Sequence, residues 1–226
     1  MIQLANKLAE RRAARQKHLP PDLQQSMDAA IYQLKKARLA DTARQQGDLM
    51  PDFTLLDHLG QPYRLSEQLL KGPVVVNFFC GGWGPFSTLQ LQALQQVQPE
   101  FQRIGASLVG ITPQKQSMNQ MLARQLAVNF PLLNDRHNEL AYECGLAVKL
   151  PEEMVDALEQ LGVDLPDHND SDGWVMPMPA SYVVTEDRRI EYAYIDEDFA
   201  CRAEPYDLLL ALMNRERSTR LAPHHA

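Results

Sequence analysis

The chain has 226 residues, of which 45% are hydrophobic and 23% charged, and its formal net charge is -7. That length suits one domain with a sizeable core plus an appendage, and the negative balance argues against a nucleic-acid partner. No apolar run approaches the ~20 residues that span a bilayer, and Met1 to Lys7 lacks a signal-peptide stretch, so no membrane partner and a cytoplasmic location are expected.

Residues 1–46 form a distinct segment. They hold nine Lys or Arg against four Asp or Glu and no glycine. Leu4 and Leu8, then Ile31 and Leu34, fall at helical spacing, and Pro20-Pro21 interrupts the run. The reading is a helical arm of two helices, the second opened by Pro21. The positive charges form no dense block, so the arm is expected to pack on the domain or on a second subunit.

From Met50 strands and helices alternate. Phe53 to Asp57 reads as a strand, His58 to Gln61 as a turn, and Ser66 as the cap of a short helix ending near Lys71-Gly72. Val74 to Phe79 is nearly all apolar and rich in β-branched and aromatic side chains, which suits a central strand covered on both faces. Gly81 to Gly84 makes a tight connection, and Pro85 opens a helix bearing Leu89, Leu91, Leu94 and Val97. Ala106 to Ile111 is a second central strand, followed by a helix to about Ala127 and a turn at Asn134-Asp135. A short helix carries Leu140 and Cys144, and Pro151 to Leu161 is another helix. Asp164 to Pro179 reads as a polar loop. Tyr182 to Val184 and Ile190 to Ile195 form a hairpin, and Glu204-Pro205 opens the last helix. The pattern implies an α/β three-layer sandwich with a mixed sheet over residues 47–216, then a tail at 217–226.

The stretch Phe78-Phe79-Cys80-Gly81-Gly82-Trp83-Gly84-Pro85-Phe86-Ser87 resembles the strand-to-helix motif of the peroxiredoxin-like branch of the alkyl hydroperoxide reductase/thiol-specific antioxidant (AhpC/TSA) family. There the usual text is Phe-Tyr-Arg-Gly-Gly-Trp-Cys-Pro-Tyr-Cys. Pro51 to Leu55, Gly110 to Gln114, Phe130 to Asp135, Gly145 to Ala147, Pro177 to Val183, Tyr194 to Phe199 and Arg202 to Pro205 are similar to further segments of that family in the same order. The resemblance implies a thioredoxin-like fold, peroxide reduction with a thioredoxin-type or small-thiol reductant, no cofactor, and a homodimer as one assembly. It also implies that Trp83, Pro85, Thr112 and Pro179 line the site, and that Pro179 is cis.

The motif departs from the family at its two cysteines, where this chain has Gly84 and Ser87. A thiolate attacks peroxide and becomes a sulfenic acid that a second thiol resolves; a hydroxyl cannot. A helix terminus contributes at most ~2 kcal/mol, too little to ionise a serine at neutral pH.

Three cysteines remain, Cys80, Cys144 and Cys201. Their odd number and wide spacing fit neither a disulfide framework nor a zinc site. By the resemblance, Arg202 matches an arginine beside the reactive sulfur. Cys80 is then the candidate nucleophile, Arg202 its electrostatic partner and Cys201 a candidate resolving thiol, with Cys80 and Cys201 at the same end of the sheet. The competing reading makes Cys80 and Cys201 small hydrophobes in the core, and Cys144 reads as core in either case. Asp167 to Gly173 lacks the acid and glutamate positions of a calcium loop, so no metal is expected. Two functions follow: a peroxiredoxin-like thiol oxidoreductase with an altered centre, or a catalytically silent relative serving as a binding or assembly module.

Overall fold

A computed structural model describes residues 3–169, 171 and 173–221. Two helices come first, α1 (Leu4–His18) and α2 (Pro21–Lys36). Pro21 sits in the first turn of α2, where a missing amide hydrogen costs nothing and the fixed φ is already helical. α1 has no side-chain cap of its own. The Glu204 carboxylate supplies one, accepting from the amides of Leu4 and Ala5 at 3.2 and 2.5 Å, where free N–H groups and the positive helix end favour an anion.

Seven strands build one sheet: β1 (Thr54–Asp57), β2 (Pro62–Arg64), β3 (Val74–Phe78), β4 (Ser107–Thr112), β5 (Leu132–Asn134), and, past a separate β6 (Ala147–Lys149) and β7 (Val175–Pro177) pair, β8 (Ala180–Val184) and β9 (Ile190–Ile195). The order is β2-β1-β5-β4-β3-β8-β9. β3 runs parallel to β4 and antiparallel to β8, with Val76 opposite both Val109 and Tyr182. Every β3 residue is buried, as its apolar run requires of a central strand.

Successive side chains of a strand point to opposite faces, and β3 divides its residues accordingly. Val74, Val76 and Phe78 join one core with Tyr182, Leu65, Leu69 and Ala141. Here lie α3 (Leu65–Leu69) and α6 (Glu139–Glu143). Val75 and the following Phe79 face a second core with Leu91, Leu94, Phe101, Leu122 and Leu208, drawn from α4 (Pro85–Arg103), α5 (Gln116–Leu126) and α9 (Pro205–Leu221). Helices thus cover both faces of a mixed sheet, the expected three-layer α/β sandwich. Gly72 has φ +140°, and a Cβ there would run into the Gly105 carbonyl oxygen; only glycine lets the loops before β3 and β4 come this close.

The arm closes on the domain in two places. Leu4 and Leu8 of α1 pack with Phe86, Ala93 and Ala200. Leu23, Met27 and Ala30 of α2 pack with Met154, Ala157 and Leu158 of α7 (Glu152–Gln160).

Several local expectations are corrected. Ser66 lies inside α3 rather than capping it. Its amide and hydroxyl donate to the Asp52 carboxylate at 3.0 and 2.9 Å, so an acid 14 residues upstream does the capping. The loop Asp164 to Pro179 contains a short helix, α8 (Leu165–Asn169), and β7. Leu165 is fully buried and holds α8 in place, while three-residue strands such as β6 and β7 leave too short a pattern to read. Asn134 ends a strand instead of making a turn. No peptide bond among the described residues is cis, that of Pro179 included; trans is the lower-energy isomer even before proline. The expected tail at 217–226 begins inside α9, which runs to Leu221; residues 222–226, with Asp170 and Asp172 of the acidic loop, lie outside the described residues.

Asp135 marks the start of α6 with a pH signature. It is 1% exposed, and its carboxylate accepts from the amides of Leu140 and Ala141, both at 2.9 Å. Burial outweighs those bonds and lifts its pKa from 3.8 to about 6. A raised folded-state value favours the protonated folded form. Its contribution is complete below about 3.8 and is lost as pH rises through about 6, a loss on the order of 3 kcal/mol. Asp135→Asn should flatten the pH dependence of unfolding free energy across that window. An Asp135 carboxyl that titrates near 4 by NMR would refute this.

Candidate active site

The site forms where β3 ends and α4 begins. Gly82 N–H donates to the Gln114 side-chain oxygen at 2.8 Å, and Gln114 in turn donates to Asn119 of α5 at 2.6 Å. These bonds pin the glycine-rich turn against the sheet. Gly84 then precedes Pro85, the first residue of α4, so that Ser87 lies in the first turn of a 19-residue helix, facing inward and fully buried.

Three side chains meet there. Cys80 Sγ stands 3.3 Å from Ser87 Oγ, and Arg202 Nη2 reaches the same hydroxyl at 3.5 Å. Arg202 is 7% exposed. Its Nη1 donates to the carbonyls of Phe199 and Cys201 at 2.5 and 2.7 Å, and its Nε has no partner. Gly84 makes room for the group: a Cβ on it would lie 3.0 Å from Cys80 Sγ and 3.1 Å from Ser87 Oγ.

The electrostatics work against ionised sulfur. Burial pushes the Cys80 thiol above its ordinary value, although Arg202 and the Ser87 bond pull the other way. Burial likewise lowers Arg202, with Cys80 opposing. Cys201, raised to about 11 by burial and then by Asp198 and Asp196, has its sulfur 3.7 Å from Arg12 Nη2. Arg12 also binds Asp198 at 2.7 Å. Burial opposes the charge on Asp198, yet the Ala200 amide and Arg12 hold its carboxyl below the usual range. All three cysteines are free. Cys80 faces Ser87 and Cys201 faces Arg12, with Arg202 bonded to parts of both neighbourhoods. Cys144 is packed in the core with its sulfur 3.8 Å from that of Met50, and burial lifts it to about 12.

A cavity of about 690 Å³ opens over this floor. Cys80, Trp83, Gly84, Pro85, Ser87 and Arg202 line it, whereas Thr112 and Pro179 are not among its lining residues. Thr112 is buried at the end of β4, its hydroxyl accepting from Gln114 N–H at 3.4 Å, and the Pro179 carbonyl accepts from Asp196 N–H. The arm contributes Arg15, Met27 and Ile31 to the walls, and α7 contributes Met154 and Leu158. None of these was expected in the site. The one available signal was Arg11, Arg15 and His18 at positions i, i+4 and i+7 of α1, on a single helical face. Gln114 was within the matched Gly110 to Gln114 segment but carried no assigned role.

The sequence model of the AhpC/TSA family matches residues 46–193, more than half of the chain. The chain belongs to the AhpC/TSA family. Within it, peroxiredoxin Q from the chloroplast of Sedum lineare is 34% identical over 102 residues, which are 45% of this chain and 54% of that protein. The chain therefore spans about half the length of this curated relative. The crystal structure of peroxidoxin BcpB from Mycobacterium tuberculosis superposes with a TM-score of 0.59 at 25% identity, over 75% of this chain and 97% of the other. Peroxiredoxin 6 of Arenicola marina, in a cysteine-to-serine mutant form, shares the fold at 14% identity and a TM-score of 0.63, over 81% and 80% of the two chains. These likenesses establish the thioredoxin-like peroxiredoxin fold for this AhpC/TSA member. Most of the arm lies before the matched residues. Among the described residues no helix is long and apolar enough to cross a membrane.

Proposed function

We propose that this protein is a slow peroxide-reducing thiol oxidoreductase whose centre has moved from the family's two motif positions, here Gly84 and Ser87, to Cys80. The observation that carries the reading is the contact of Cys80 Sγ with Ser87 Oγ at 3.3 Å, with Arg202 on the same hydroxyl at 3.5 Å, on the floor of a cavity open to small molecules. In the proposed step the Cys80 sulfur attacks one peroxide oxygen. The S–O bond forms, the O–O bond breaks, sulfur is oxidised by two electrons, and the thiol proton leaves with the departing alcohol or water. Two equivalents of a thiol reductant then return the sulfenic acid to the thiol, by way of a mixed disulfide and loss of water. Cys201, whose carbonyl holds Arg202, is the internal candidate for the first of these equivalents. A reducing cytoplasm would supply the rest.

Rate is the weak point of such a centre. Only the thiolate attacks, and burial keeps Cys80 protonated. Turnover with hydrogen peroxide and dithiothreitol should fall far below that of an ordinary peroxiredoxin, and Cys80→Ser should abolish what remains. Activity that survives Cys80→Ser would remove Cys80 from the mechanism. The second reading, a catalytically silent binding module, is favoured by the size and apolar lining of the cavity. Complete absence of peroxide consumption by the unaltered protein would select it.

A further inference from the structure

The cavity has two unlike ends. One is apolar: Met27 and Ile31 of α2 face Met154, Leu158, Leu161 and Val163 around α7. The other is cationic. Arg15 lies over the Phe86 ring, 5.8 Å from its centroid, and its side chain is 17% exposed. Its nearest carboxylate, the exposed Asp28, is 3.9 Å away. Arg202 is more deeply buried and has no carboxylate within ion-pair distance among the described residues. Arg15 lies over Phe86 and Arg202 reaches the adjacent Ser87, which places them at the same end. Arg11 and His18 add basic groups to the lining. Asp198 is the one acid there, and Arg12 already neutralises it at 2.7 Å.

A buried guanidinium that lacks an anion is strongly unfavourable relative to a paired one; Arg202 is such a group, and the partly buried Arg15, held among the described residues only by Asp28 at 3.9 Å, faces the same chamber. Pockets for small organic ligands span roughly 300–1,000 Å³ and combine apolar walls with a few placed polar groups. We propose that the arm-walled cavity is a binding site for a medium-chain monocarboxylate of the fatty-acid class. The carboxylate lies on Arg15 and Arg202, and the alkyl chain lies along the wall formed by α2 and α7. This site shares Arg202 with the thiol reading, but Arg15 and the apolar wall take no part in sulfur chemistry, so the two readings are tested separately.

Calorimetric titration of the full chain with dodecanoate tests it. The expected result is one site with a dissociation constant on the order of 10 μM and a rise in melting temperature with ligand concentration. Uncharged dodecanol should bind at least ~10-fold more weakly, and Arg15→Gln should weaken dodecanoate about tenfold. Ile31→Trp, which fills the apolar end, should abolish binding while circular dichroism and the ligand-free melting temperature show a folded protein. Cys80→Ser should bind dodecanoate within about twofold of the unaltered chain, since no hydrogen bond to sulfur is required. Loss of peroxide consumption with binding intact would thus strike only the thiol reading. No heat and no thermal shift with dodecanoate up to about 1 mM, or equal binding of dodecanol, overturns the proposal.

Discussion

Ser87→Cys should raise the rate of peroxide consumption about 100-fold over the unaltered protein. An ordinary thiol is only a few per cent thiolate at neutral pH, and burial takes Cys80 further in the wrong direction. A sulfur at position 87 would be just as buried, but two effects together would favour its anion. It would sit in the first turn of α4, where the helix dipole favours an anion, and within reach of Arg202 Nη2, now 3.5 Å from the serine oxygen. Both effects lower a thiol pKa, and conversion from a few per cent to mostly thiolate accounts for one to two orders of magnitude. Sulfur is larger than oxygen, but the missing Cβ of Gly84 leaves space beside it. The added Gly84→Cys change places a Cβ 3.0 Å from Cys80 Sγ and 3.1 Å from the side chain at 87, so the double variant should gain a resolving thiol at the cost of local crowding. The checks are peroxide consumption and mass-spectrometric detection of a dimedone adduct at residue 87. A Ser87→Cys protein no faster than its parent, with Arg202 intact, would show that the floor cannot support a thiolate at all.

Phe101→Ala should cost about 3–5 kcal/mol of stability. Phe101 is completely buried near the end of α4, among Leu91, Leu94, Leu122 and Leu208 of the layer that carries the site helix. Removal of the ring forfeits its transfer energy and leaves a cavity that three helices and a sheet cannot easily close. Against a typical total of 5–15 kcal/mol, this should lower the melting temperature by roughly 6–20 °C. The control is Leu70→Ala, at a side chain 88% exposed, which should stay within about 0.5 kcal/mol. Urea denaturation of the three proteins decides the matter. Near-equal midpoints for Phe101→Ala and the parent would mean that this layer is not tightly packed.

The strong signals in the sequence were those in which one physical demand dominates. An unbroken apolar β-branched run, Val74 to Phe78, could only be a strand covered on both sides, and Pro21 and Pro85 could only open helices. Pro51 to Pro205 kept the order of a known family, and this made the sheet's general architecture legible. What was lost depended on distant partners. Ser66 looks like a cap until Asp52 arrives from 14 residues away. Leu165 looks like part of a loop until α8 buries it. The site divides in the same way. Cys80, Ser87 and Arg202 were legible as neighbours because the motif and the C-terminal segment carry them. The second half of the chamber, with Arg15, Met27, Ile31 and Met154, was not, since it depends on how an arm with no motif folds back. Thr112 and Pro179 were assigned to the site by resemblance, and in this chain both are occupied in backbone bonding beneath it.

The way the arm lies over the start of α4 bears on what can touch the floor. Leu4 and Leu8 cover Phe86, and Arg12 is clasped by Asp198. Arg15 of α1 and Met27 and Ile31 of α2 wall the cavity that Cys80 lines. On the mechanism proposed above, a donor thiol would have to reach Cys80 past these two helices, so a small thiol is the expected donor and a folded protein donor would need the arm to move.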